Sequence, residues 1–138
     1  MDPRVANTFR TLHLTYGLVP IVAGLDKFTN LLADWPGYLS PALGQLLPFS
    51  PQAFLYVVGV VEIAAGVLTL FKPRIGAWVV GAWLLAIALN LVLLGRFDIA
   101  VRDVVMAIGA WALAQLSAVR AAELEPATAG VRTARAHA

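Results

Sequence analysis

Four apolar runs, each about twenty residues long and separated by short polar breaks, dominate the chain. At about 1.5 Å per residue, a helix of that length crosses a hydrocarbon core about 30 Å thick. The pattern predicts spans over residues 11–32, 52–71, 75–94 and 99–119, and hence an all-α integral membrane four-helix bundle. Residues 1–10 form a polar N-terminal segment. Residues 120–138, rich in Ala, Thr and Arg, are expected to form a flexible tail. Pro20 lies inside the first span and is expected to bend it, as neighbouring helices allow in a membrane.

The breaks carry local stop and start signals. Residues 33–52 hold four prolines and form the longest connector. Within it Ser40-Pro41 reads as an N-cap followed by a first helical position. Leu39, Leu43, Leu46 and Leu47 then fall on one side, which predicts a short amphipathic helix on the membrane surface in the first outer loop. Trp35, Tyr38 and Phe49 suit the headgroup region. Ser50-Pro51 repeats the cap signal before the second span. Lys72-Pro73-Arg74 is a tight basic turn, Gly95 a left-handed stop, and Asp98 an expected N-cap of the fourth span.

Composition agrees with this pattern. Hydrophobic residues make up 60% of the 138 and charged ones 13%, with a mean hydropathy of +0.80. An ordinary soluble domain carries about 25% charged residues. The net charge is +2, but the Lys and Arg sit between apolar runs rather than among aromatics, which argues against nucleic acid as a partner. No cysteine is present, which removes a disulfide framework, a thiol relay and Cys-based metal ligation. The first run begins near Leu12 and contains Asp26 and Lys27, so no cleavable signal peptide is expected there. With four spans, Arg4, Arg10, Lys72, Arg74, Arg120, Arg132 and Arg135 collect on one side, against Arg96 on the other. The positive-inside rule then places both termini in the cytoplasm of a bacterial-type inner membrane.

Six polar residues interrupt the runs: Asp26 and Lys27 in the first, Glu62 in the second, Asn90 in the third, and Arg102 with Asp103 in the fourth. With alternating span directions all six fall in the outer half of the bundle, Glu62 deepest, and the inner half carries nothing comparable. An ionisable group at that depth is costly unless paired or facing water. Neighbours on a helix diverge by about 100°, so Asp26 and Lys27 are poor partners, as are Arg102 and Asp103. Crossed pairs satisfy more groups: Asp26 with Arg102, and Lys27 with Asp103 or Glu62. Two cations against three acids leave one acid over. Glu62 is expected to be that acid and to exchange a proton, which makes it the candidate catalytic residue. Asp26, Lys27, Asn90, Arg102 and Asp103 are the candidate ligand-binding residues.

Small residues point the same way. Gly59, Glu62 and Gly66 share one helical face, as do Ala82, Ala86 and Asn90, and as do Asp103, Ala107, Ala110 and Ala114. Such faces mark helix contact rather than lipid. The alternative is that buried pairs only fix helix order and register. His13 and His137 are too few and too differently placed for bis-His haem ligation, and no metal site is expected. Trp78, Trp83 and Trp111 suit quinone stacking, packing or interfacial anchoring.

Gly24-Leu-Asp-Lys27-Phe28, Gly59-Val-Val-Glu62-Ile-Ala-Ala-Gly66 and Arg102-Asp103-Val, in this order across four spans, resemble the DoxX family of small four-helix membrane proteins over about residues 10–120. The resemblance implies a subunit of a quinol oxidase or of a thiosulfate:quinone oxidoreductase. For the wider group it implies an assembly factor for other membrane proteins. It supplies no catalytic set.

Two functions follow as expectations. One is an accessory subunit linked to quinone redox chemistry: a bound quinone meets Glu62 as proton donor or acceptor, Lys27 or Arg102 holds an oxygen, and a partner subunit supplies electrons, since no intrinsic cofactor is expected. The other is a non-enzymatic bundle that binds lipid or assembles other membrane proteins. Partners are then membrane lipids and either a second subunit or a second copy. A solute or proton pathway ranks last, because four short helices enclose little room and no inverted repeat is apparent. Residues 39–47 lie on the cluster's side and are expected to act as a lid.

Overall fold

The structure is a computed structural model describing residues 2–32, 35–46, 48 and 50–136. It is all-helical. Four long helices, α1 (Pro3–Asp26), α3 (Pro51–Phe71), α4 (Pro73–Leu94) and α5 (Phe97–Ala136), surround one another. A 3-10 turn (Trp35–Tyr38) and a short α2 (Pro41–Leu46) occupy the connector between α1 and α3. Helix α1 packs most closely on α3 and α4 on α5, while α3 against α4 and α1 against α5 close the bundle.

Local chemistry sets most helix ends. Asp2 Oδ1 accepts from the Arg4 amide at 2.8 Å ahead of Pro3. Ser50 Oγ accepts from the Ala53 amide at 3.2 Å, so the expected cap before α3 forms. Lys72 alone joins α3 to α4. Gly95 closes α4 at φ 88°, the left-handed geometry that glycine adopts at little cost.

Other ends differ from expectation. Helix α1 starts earlier and stops at Asp26 rather than near residue 32, because the Asp26 carboxylate gathers the following amides; it runs unbroken through Pro20. Asp98 sits inside the first turn of α5 instead of capping it. Ser40 Oγ is buried and without a hydrogen-bond partner, so it does not cap α2. The segment expected to be a flexible tail continues α5 to Ala136, in keeping with the high helix propensity of its alanines. In α4 the buried stripe is Gly76, Ala77, Val80, Ala88 and Leu91, not Ala82, Ala86 and Asn90; Ala82 is exposed. The expected α5 face holds, with Asp103, Ala107, Ala110 and Ala114 all buried. Leu47, Phe49 and His137, and the side chains of Tyr38 and Leu43, lie outside the described residues; Leu46 of the expected amphipathic face is 82% exposed.

Glycines set the α1–α3 distance. A Cβ built on Gly24 would lie 2.5 Å from the Gly59 carbonyl oxygen, and one on Gly59 2.7 Å from that of Gly24. Gly66 stands 2.5 Å from the Gly17 carbonyl in the same sense. Both helices carry these glycines seven residues apart, so antiparallel backbones meet twice. At the opposite end of the bundle from the connector, Phe9, Ala77, Leu113 and Ala114 form the buried apolar core.

Among the described residues, three helices are by length and composition apolar enough to cross a membrane: Gln52–Phe71, Pro73–Leu94 and Phe97–Leu124.

Candidate functional site

Faces of α3, α4 and α5, with Lys27 at the C-cap of α1 and the connector that follows it, converge on a cavity of about 510 Å³ at the end carrying the α1–α3 connector and the α4–α5 turn. Five of the six polar residues singled out by sequence line it: Lys27, Glu62, Asn90, Arg102 and Asp103. The spacing is helical on each contributor. Phe54, Val58 and Glu62 come from α3, and Trp83, Ile87 and Asn90 from α4. The remaining wall is mostly apolar and includes Leu32, Leu39, Leu55 and Ile99.

Lys27 and Glu62 form the centre. Lys27 Nζ lies 2.7 Å from Glu62 Oε2, and the two residues are 4% and 5% exposed. Of the two partners open to Lys27, the close α1–α3 approach selects Glu62. The ammonium also lies 3.8 Å from the centroid of the Trp35 ring. Glu62 Oε1 accepts a second hydrogen bond from Trp83 Nε1 at 3.2 Å. Each carboxylate oxygen therefore has one donor. Glu62 is not the acid left over.

Asp103 takes that place. It is buried, and its ion-pair partner is the adjacent Arg102, whose Nε stands 3.9 Å away on a side chain 68% exposed. Arg102 extends outward at the cavity wall and leaves the neighbouring charge weakly compensated, as expected for residues 100° apart.

The expected Asp26–Arg102 pair does not form. Asp26 Oδ1 accepts from Thr29 Oγ1 and the Leu31 amide at 3.0 Å each, and from the Leu32 amide at 3.1 Å. Oδ2 accepts from Leu32 at 3.0 Å and from Trp35 Nε1 at 2.8 Å. A carboxylate at a helix end reaches the orphan donors of the following turn without a distant guanidinium. Asn30, at φ 53°, turns the chain within that loop. Asp26 thus stays behind the wall and holds the indole on which Lys27 rests. Replacing Asp26 with alanine is expected to destabilise the fold, since four donors of the following turn, Thr29, Leu31, Leu32 and Trp35, lose their charged acceptor. Asp26→Asn, which keeps an oxygen, should cost less. Unfolding in detergent measures both, and a change in Trp35 emission in the alanine variant alone would confirm release of the wall.

Trp35 and Trp83 are the cavity-lining side chains the sequence pattern understated. Trp35 turns inward and lines the cavity beside Lys27. Trp83 lies seven residues before Asn90 on one helical face, and that spacing was the available signal. Trp78 and Trp111 are exposed on the outside of the bundle. Above the cavity, the Ser40 amide donates to Asn90 Oδ1 at 3.0 Å and fastens the connector to α4. His13 is committed elsewhere: its Nε2–H donates to the Thr69 and Leu70 carbonyls at 2.8 and 3.0 Å, closing the C-terminal end of α3.

Comparisons with protein-family models, with curated proteins and with solved structures found no match.

Proposed function

We propose that the chain is a four-span membrane bundle that binds an amphipathic carbonyl compound of the quinone class, as an accessory subunit to a redox partner. The observation that carries this reading is the Lys27–Glu62 pair facing a cavity of about 510 Å³ instead of packed side chains. A pair that served only helix register has no need of adjoining space. The cavity combines an apolar wall, two indoles and a few polar groups, the ordinary make-up of a small-molecule site. Lys27 has three N–H donors and gives one to Glu62, which leaves donors for a ligand oxygen. Arg102 is a second donor at the wall, and Glu62 is positioned beside Lys27 to pass a proton. Reduction of a quinone to a quinol takes up two electrons and two protons. In this reading a partner subunit supplies the electrons, and the resemblance to the DoxX family points the same way.

Membrane placement rests on the exterior. Beyond the three apolar helices, α1 turns Leu14, Leu18, Val22 and Leu25 outward while Asp26 and Lys27 turn inward, which supports it as the fourth span. The basic residues at the end opposite the cavity support termini in the cytoplasm of a bacterial-type inner membrane.

The test is to purify the full chain from native membranes in mild detergent, analyse its organic extract by mass spectrometry, and titrate it with a short-chain benzoquinone while following tryptophan emission. A stoichiometric quinone, or saturable quenching weakened about tenfold or more by Lys27→Met, is the expected result. An extract of bulk lipid alone with no saturable quenching would overturn the proposal and leave a non-enzymatic binding or assembly role.

A further inference from the structure

The inner half of the bundle, expected to hold nothing comparable to the polar cluster, contains a second cavity of about 400 Å³. It lies between the N-terminal part of α1 and the C-terminal part of α5, lined by Phe9, Arg10, His13, Arg120, Glu123 and Leu124. Arg120 is seventeen residues along α5 from Asp103, or about 25 Å at 1.5 Å per residue, so the two sites face opposite ends of the bundle.

Its parts are held in place. Phe9 is 2% exposed and forms the floor, with the Arg120 guanidinium carbon 5.0 Å from its ring centroid. His13 is fixed to the end of α3 through Nε2, and its ring lies 5.4 Å from that of Phe9. Arg10 and Arg120 bring two guanidinium forks to the rim, against one carboxylate, Glu123. Arg4, Lys72 and Arg74 add positive charge at the same end.

We infer that this cavity holds the phosphate of an anionic phospholipid. This rests on the membrane placement above but not on the quinone reading. Paired guanidiniums match phosphate oxygens in bidentate geometry. A basic pocket between helices at a membrane interface is where such a headgroup lies. Free phosphate is far smaller than the cavity and gains nothing from Phe9 or from Leu124, whose exposed side chain at the rim suits the glycerol and upper acyl carbons of a lipid.

The test uses the full chain in a neutral detergent and measures binding by native mass spectrometry and thermal shift. The probes are phosphatidylglycerol, phosphatidylcholine and inorganic phosphate. Phosphatidylglycerol is expected to bind at least tenfold more tightly than phosphatidylcholine. Each guanidinium near a headgroup contributes about fivefold, so Arg10→Gln with Arg120→Gln should weaken binding about 25-fold. Lys72→Gln with Arg74→Gln removes the same charge from the same end outside the cavity and should change it less than about threefold. Arg10→Gln alone, which leaves the Arg120–Phe9 contact intact, should cost about fivefold. Equal losses in the two double variants would overturn the site in favour of diffuse surface charge. Protection by inorganic phosphate as strong as by the lipid would overturn the lipid assignment. Failure of the chain to enter lipid nanodiscs would instead refute the membrane placement itself.

Discussion

Replacing Lys27 with methionine is expected to lower unfolding stability by about 3 kcal/mol and, on the function proposed for the cavity, to weaken quinone binding about tenfold or more. The size of the effect comes from what remains. Polar contacts between membrane helices average only about 0.6 kcal/mol when both partners are deleted cleanly. Here the single substitution leaves Glu62 buried, with Trp83 Nε1 at 3.2 Å as its hydrogen-bond donor. The double variant Lys27→Met with Glu62→Leu should recover most of the lost stability, because an apolar pair of similar volume removes the desolvation cost as well as the attraction. It should not recover ligand binding. A double-mutant cycle in detergent measures the coupling, with at least about 2 kcal/mol expected. A single-variant loss below about 0.5 kcal/mol would show that the pair does not hold α1 against α3. Recovery of binding in the double variant would show that the ligand does not use Lys27.

The second large effect is expected at the glycine contacts. Gly24→Ala places a methyl carbon 2.5 Å from the Gly59 carbonyl oxygen and 2.8 Å from Ile63 Cγ1. A backbone carbonyl cannot move aside as a flexible side chain can, so the helices must separate. Overpacking of this kind costs about 1–3 kcal/mol, and Gly24→Leu should exceed that or prevent folding. Separation also lengthens the Lys27–Glu62 contact, so ligand binding should fall with stability. Gly81→Ala is the control. Its new carbon would meet the nearest atom, Ala110 Cβ, at 3.5 Å, an ordinary contact, and alanine is the better helix former by about 1 kcal/mol. That variant should be neutral or stabilising. Equal loss in Gly24→Ala and Gly81→Ala would mean that close approach is not what these glycines provide.

How much of this could be read beforehand depended on the range of the interaction. Spans α3 and α4 were placed within one or two residues, because Ser50, Pro51, Lys72, Pro73 and Gly95 act on backbone groups a few residues away. The end of α1 was misplaced because Asp26 sits in an apolar run that continues to Leu32, and periodicity does not register a carboxylate folding the next turn onto itself. Polar residues inside apolar runs singled out Lys27, Glu62, Asn90, Arg102 and Asp103, all of which line the cavity. The tryptophans were understated because an indole in an apolar run is unremarkable until an acceptor stands opposite its N–H. The second cavity is not legible in the sequence because Arg10 and Arg120 lie 110 residues apart, each in a segment that reads as an ordinary basic flank.

Hydropathy and local capping, carried in the chain itself, determined the helices and their order, and polar residues inside apolar runs marked five side chains that line the cavity. Tertiary packing alone decided which charges meet. Lys27 reaches Glu62 because glycines on α1 and α3 let the two backbones touch, and Asp26 is diverted from Arg102 by nearer amides. An ion pair needs about 3 Å of separation across two helices, which rotation and spacing fix and residue type does not. The cavity likewise belongs to no single residue: it is the space left where α3, α4, α5 and the connector after α1 fail to meet.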